Sequence, residues 1–277
     1  MPHVKPTRVV AVDWSGARSG ERRKIWLAEV CAGRVERLVD GWSREQVTEE
    51  LVRIVQRAAA QGERVIVGLD FSFGFPVWYA RMHGWSSGRE VWRAWTAERV
   101  EHTLTEPEFP FWGRGQNRRK PAVLHEAGDT PPLRVTELSV GPRPFSVFQL
   151  VGAGAVGPGS LRGMATLRAL SDAGACVWPF DHDDGGAGAV VLEIWPRLYA
   201  PKVVKSNPDA RVVHVRGLLA RSDSPRAFVK AVRSSDDAFD ALVGALALWE
   251  AGSQLEALGA AANDDIRLEG CIWRPEG

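Results

Sequence analysis

Cysteine is scarce in this chain. Cys31, Cys176 and Cys271 lie far apart, with no Cys-x-x-Cys or Cys/His spacing, which argues against structural zinc and a disulfide framework. So sparse and odd a count suits a reducing compartment, and a cytoplasmic location is expected. No apolar run approaches the length of a membrane span, and the short polar stretch before Arg8 has no signal-peptide character. Net charge is also lacking: 35 Lys and Arg against 34 Asp and Glu leave +1, so no global field draws the chain to nucleic acid or membrane. Any affinity for a polyanion must come from a local patch. Nothing indicates disorder, because 45% apolar residues suffice for a buried core. At 277 residues, one core with a large insertion fits as well as two compact halves.

The abundant signal is a series of short apolar runs. Arg8 to Trp14 is Val-rich and stops at Ser15-Gly16, the pattern of a buried central strand. Lys24 to Val30 and Arg34 to Val39 read as a hairpin across Cys31-Ala32-Gly33. Ser43 with Gln46 three residues later is a capping-box pattern. The following Val47, Leu51, Ile54, Val55 and Ala58 recur at helical spacing as far as Gln61-Gly62. Arg64 to Leu69 is the next strand, so the first 70 residues read β-β-β-α-β. Beyond Phe71 the pattern loosens. A helix is expected over Ser87–Leu104 and a long loop or insertion over Glu106–Arg134. Further expectations are a helix over Leu161–Ala173, a short strand over Ala175–Pro179 and a buried strand over Val190–Ile194. Helices follow over Asp209–Leu219, after an N-cap at Ser224-Pro225, and over Asp236–Ala251. An edge strand is expected within Asn263–Trp273.

Acidic residues stand out against these apolar runs. Asp13 ends the first strand and Asp70 the fourth, Glu193 sits inside the Val190–Ile194 run, and Asp237 and Asp240 share one face of an apolar helix. Buried carboxylates are costly unless hydrogen bonds or a cation neutralise them, and converging ones raise each other's pKa. A divalent ion removes that conflict, and magnesium favours carboxylate oxygens and retained water. Two such ions would stabilise the attacking and leaving oxygens of a phosphoryl displacement. Taken singly, each acid has a plainer reading: a turn or cap residue for Asp13 and Asp70, a first-turn acid for Asp236 or Asp237, an arginine partner for Glu193. Their order along the chain is more specific than any single one.

Five segments carry a family resemblance: VAVDW around Asp13, GLDFSFGFP around Asp70, FQLVGAGAVGPGSLRGM from Phe148, LEIWPRLY around Glu193, and DDAFDALVGALAL from Asp236. Together they resemble a group of predicted ribonuclease H-like nucleases catalogued as domain of unknown function 429, over nearly the whole chain. The Asp-x-x-Asp-Ala-Leu helix is also similar to the C-terminal helix of RuvC-type Holliday-junction resolvases. The resemblance implies an α/β fold, a ribonuclease H-like mixed β-sheet flanked by helices. It implies one domain over residues 1–277, with a large insertion after the fourth strand at about 77–145. It further implies catalytic Asp13, Asp70, Asp237 and Asp240, with those four and Glu193 holding Mg2+ or Mn2+, and a homodimer as in resolvase-like proteins. The expected activity is metal-dependent hydrolysis of nucleic-acid phosphodiesters. The rival expectations are a non-catalytic nucleic-acid binder on a nuclease scaffold and an actin-like ATP-dependent phosphotransferase. The latter would need two Gly-rich phosphate hairpins following strands in two duplicated halves, and one such core is evident, which counts against it.

Phe109 to Lys120 is the candidate substrate segment. Arg114, Arg118, Arg119 and Lys120 would meet phosphates, with Arg143 and Arg162 adding charge, and Trp112 beside Phe111 would stack on unpaired bases. A solvated loop anchored by its aromatics is the alternative. Gly152, Gly154 and Gly157 match GxGxxG, but no clean strand precedes them and Pro158 intervenes, so a tight turn into a helix is the default over a nucleotide site. The histidines are scattered and support no Ser–His–Asp arrangement. His182 lies among Asp181, Asp183 and Asp184, a run that would hold at most an adventitious cation.

Overall fold

A computed structural model describes residues 4–141, 144–152, 154–220 and 227–276. The expected Ser224-Pro225 cap and Arg143 lie outside the described residues. The chain is an α/β protein built on a six-stranded mixed sheet in the order β3-β2-β1-β4-β6-β5. Strands β1 (Pro6–Asp13), β2 (Trp26–Cys31) and β3 (Arg34–Val39) form an antiparallel meander. Ala32 and Gly33 both take positive φ at the β2–β3 turn, the backbone of a two-residue hairpin. Helix α1 (Arg44–Gln61) opens on the expected Ser43–Gln46 capping box, closes on left-handed Gly62 and returns the chain to β4 (Arg64–Leu69), parallel to β1. The β4–β6 connection carries α2 (Val77–Met82), α3 (Gly88–Ala94), α4 (Ala97–Thr105), α5 (Val135–Ser139), α6 (Gly157–Asp172) and the two-residue edge strand β5 (Cys176–Val177). Strand β6 (Gly188–Glu193) then enters parallel to β4. Helices α7 (Pro208–Leu219), α8 (Ala227–Ser234), α9 (Asp236–Glu250) and α10 (Asp264–Glu269) complete the chain.

Strand alternation divides the core into two layers. Val10, Val12, Val65, Val67, Leu69 and Val191 pack with α1 and α6 on one side of the sheet. Val9, Ala11, Ile66, Val190, Leu192 and Ile194 pack with α9 on the other. The connection at 77–145 is not a separate body, since Tyr79, Trp92, Trp95 and Phe111 belong to the α1 layer. No helix among the described residues is long and apolar enough to cross a membrane.

Three expectations need correction. The helix over Ser87–Leu104 is two short helices, because Trp95 leaves helical geometry and Thr96 caps α4 through the amide of Arg99. The helix expected from Leu161 begins earlier, at Gly157, with Pro158 in its first turn, where a missing N–H costs nothing. In place of an edge strand over Asn263–Trp273 there is α10, capped by Asn263 with Asp264 and Asp265 in its first turn. One isolated bridge, Ile272 to Glu193, remains.

Candidate metal centre

Strand periodicity decides which acids meet. Asp13 follows Val9 and Ala11 by steps of two, and Asp70 follows Ile66 and Gly68, so both point to the α9 side where their parallel strands end. The Asp70 amide donates to Val12 O at 3.1 Å, which locks the two strand ends together. Helix α9 starts above this edge, with Ser235 capping through the amide of Ala238. It lies close because the sheet leaves room. A Cβ on Gly68 would stand 2.7 Å from Leu248 Cδ1, and one on Gly244 would stand 3.0 Å from Ile194 Cδ1 and 3.3 Å from Ala11 Cβ. Asp240, one turn before Gly244, therefore faces the sheet end.

Asp13, Asp70 and Asp240 each offer a carboxylate oxygen, all within 4.8 Å of one another. Oxygens sharing one magnesium ion at about 2.1 Å stand about 3 to 4 Å apart, so the spacing is close to what a single cation requires. Asp13 and Asp240 are buried and Asp70 is partly open. Burial first, then the neighbouring aspartates, drives the Asp13 carboxyl well above the usual range. Burial and Asp240 raise Asp70 to about 8. Burial raises Asp240 to about 6, although Lys205 pulls it down. The Lys205 ammonium ion-pairs with Asp240 Oδ2, while Oδ1 is buried with no hydrogen-bond partner among the described residues. A buried, orphaned carboxylate oxygen beside two crowded carboxyls is a donor set that fits a hard divalent cation.

Asp237 lies at the margin of this group. It is half-buried and raised, by burial and then by Asp236, but it is outside the set that converges within 4.8 Å. Glu193 is placed elsewhere, which corrects its expected role as a ligand. Its register partner is Leu69, one residue before Asp70, so it points to the opposite side of the sheet. There the buried Arg134 pairs with it through both Nη atoms, and the Phe73 amide donates to Oε2 at 2.9 Å. Arg134 also donates to Glu137 Oε1 at 2.9 Å and to Ser72 Oγ at 3.2 Å. Against burial, these acids hold its guanidinium strongly protonated.

The basic segment is divided by burial. Arg114, Arg118, Arg119 and Lys120 are exposed, and Arg114 borders a cleft of about 120 Å3 with Arg18, Arg162 and its partner Glu101 beside Gly16, three residues after Asp13. Trp112 is not available for stacking. Its backbone pairs with Phe148 O and the Leu150 amide, and its ring is buried in the α1-side core, as is Phe111. The acidic run near His182 is consumed by structure: buried Arg64 grips Asp183 at 3.0 and 2.6 Å, and Arg89 holds Asp181 at 3.2 Å. The Gly-rich segment is no phosphate cradle either. Gly16 lies against the backbone of Pro158 and Gly159 with no room for a Cβ, which covers the start of α6.

Lys205 and Arg134 are the polar residues that the sequence did not flag. Lys205 is defined by a partner 35 residues away, and Arg134 by Glu193, 59 residues away, as well as by Glu137 three residues on. Comparison with family models, with curated proteins and with solved structures returns no match.

Proposed function

We propose that this chain is a metal-dependent phosphodiesterase acting on nucleic acid, with a ribonuclease H-like core. The observation that carries the reading is the convergence of Asp13, Asp70 and Asp240, with Asp240 Oδ1 left without a hydrogen-bond partner among the described residues. The β-β-β-α-β order, with acids at the ends of the first and fourth strands and on a helix packed over them, agrees with the expected arrangement. Mg2+ or Mn2+ bound there would polarise the scissile phosphate and lower the pKa of an attacking water. Asp13 and Asp240 supply buried carboxylate oxygens to that cation. Asp70, partly open to solvent, is raised to about 8 and would give up its proton on joining Asp13 and Asp240 as a cation ligand. Lys205 balances the charge of Asp240 and places an ammonium where an anionic phosphate would approach. Asp237 stands at the margin, one turn before Asp240. Arg114, with Arg118, Arg119 and Lys120, would receive the flanking backbone.

The test is cleavage of single-stranded, duplex, hybrid and branched nucleic acids in Mg2+ or Mn2+ by the wild type and by Asp13→Asn. The expected outcome is metal-dependent cleavage in the wild type and its loss in a variant that remains folded. Equal cleavage by both proteins, or salt-sensitive binding with no turnover in either, refutes the assignment.

A further inference from the structure

The GxGxxG segment and the Arg134 cluster have no part in holding a cation, yet both border one cavity. A pocket of about 330 Å3 opens at Asp70 and runs to the far side of the sheet end. That volume lies at the lower limit of the usual range for small-ligand sites, about 300 to 1,000 Å3. Its aromatic lining comes from Trp14, Phe71, Phe145 and Trp195. Two of these are fixed in place: the Trp14 indole donates to Gly159 O at 3.1 Å, and Phe71 packs 5.2 Å from it, centroid to centroid. Phe145 is 48% exposed and lies directly on the backbone of Gly154, where a Cβ would occupy the space of its ring. Gly154 also takes a positive φ of 77°. The glycine motif thus shapes an aromatic wall.

The polar part of the lining is Ser72, Glu137 and Glu193. Each carboxylate accepts three hydrogen bonds from the protein: Glu193 from the two Arg134 Nη atoms and the Phe73 amide, Glu137 from Arg134 N, Arg134 Nε and Ser72 Oγ. An ionised carboxylate has about four acceptor sites, so one remains on each of these buried acids, both of which line the pocket. Arg134 serves both acids and is itself fully buried, so the polar end is acceptor-rich and anionic. Phosphate is repelled there. A flat ring with N–H donors fits, because aromatic walls stack on its faces and carboxylates receive its edge.

We propose that this pocket takes one unpaired nucleobase that presents an N–H donor edge, guanine above all, while its phosphate lies at the Asp13–Asp70–Asp240 end. This rests on the phosphodiesterase reading for the phosphate, but the base site itself does not. A base can enter so small a pocket only when out of the stack, so the substrate class is single-stranded or extruded. Guanine offers two adjacent donors, N1–H and N2–H, one for the remaining acceptor site of each acid, whereas uracil offers a single N–H between two carbonyls that would face the acids.

The probe is guanosine, which carries no phosphate and needs no metal, with uridine as its counterpart. Calorimetric titration is run on the wild type, Asp13→Asn, Phe145→Ala and Phe145→Tyr, with circular dichroism checking that each is folded. Guanosine should bind wild type and Asp13→Asn alike, and uridine at least about tenfold more weakly. Loss of one stacking face in Phe145→Ala should weaken guanosine about tenfold, and Phe145→Tyr should restore it. Absence of saturable guanosine binding, equal binding of uridine, or indifference to Phe145→Ala overturns the proposal. Guanosine binding in a protein without metal-dependent cleavage would sink the phosphodiesterase reading and leave the base site standing.

Discussion

Replacing Asp70 with asparagine should make the metal-free protein more stable, and the size of the gain should follow pH. In the folded chain, burial and Asp240 raise the Asp70 carboxyl from 3.8 to about 8. The folded state therefore holds a proton that the unfolded state has released at any pH between those values. Stability must fall as pH rises through that window, by 1.36 kcal/mol per pH unit for a single fully shifted group. Below the unfolded value the penalty is absent, and above about 8 it is complete. At pH 7 the ceiling is about 4 kcal/mol. Water at the open side of Asp70 and charge shared with Asp240 reduce this to about 1–2 kcal/mol. Asparagine keeps the shape and has no proton to gain, so its advantage should be near zero at pH 3.5 and largest at pH 8. Urea denaturation at pH 3.5, 5, 7 and 8, without divalent ions, measures it. Mn2+ at about 100 times its dissociation constant should then stabilise the wild type by about 2.7 kcal/mol and the variant much less. An Asp70→Asn protein no more stable than wild type at pH 8, or equally stabilised by Mn2+, would refute the account of a strained carboxylate cluster built around a cation.

Other outcomes follow from neighbouring features. Arg134→Met leaves Glu193 and Glu137 buried without their cation and should cost about 3–5 kcal/mol in urea unfolding, with much of the loss recovered by adding Glu193→Gln. Gly68→Val pushes into Leu248 and Ile194 and should cost about 1–3 kcal/mol, with weaker Mn2+ binding in calorimetry because α9 carries Asp240 away. Lys205→Gln removes the ammonium that competes for Asp240, so Mn2+ should bind more tightly; weaker binding would mean that Lys205 supports the site. Arg118→Gln, Arg119→Gln and Lys120→Gln together should lower the slope of log affinity against log salt by about 2, as read by fluorescence anisotropy with labelled single strands.

Much of the sheet was legible because its strands are buried on both faces and read as unbroken apolar runs. The convergence of Asp13, Asp70 and Asp240 was legible too, from strand ends and helix spacing. For Glu193 the arginine-paired reading holds rather than the ligand one, and the sequence carries a signal for it: Glu193 falls one step out of phase with Val190, Leu192 and Ile194, the residues that face α9. Asn263 with Asp264 and Asp265 is likewise a helix start that an edge-strand reading passes over. Trp112 looked like a stacking surface because it neighbours arginines, and only its pairing with Phe148 and Leu150 shows that it turns inward. Lys205 and Arg134 had no such signal. The Lys205–Asp240 and Arg134–Glu193 pairings are tertiary, and no local spacing encodes them.

The absent Cβ atoms of Gly68 and Gly244 have a mechanical consequence. Leu248, Ile194 and Ala11 close over them with no spare atom, so the helix has a single seat on the sheet. The bite between a carboxylate carried on a helix and two carried on strands is thereby gauged by missing methyl groups at positions that bear no charge themselves. Selectivity among cations of different radius would then be tuned in the hydrophobic layer, and variants altering it need not touch a ligand.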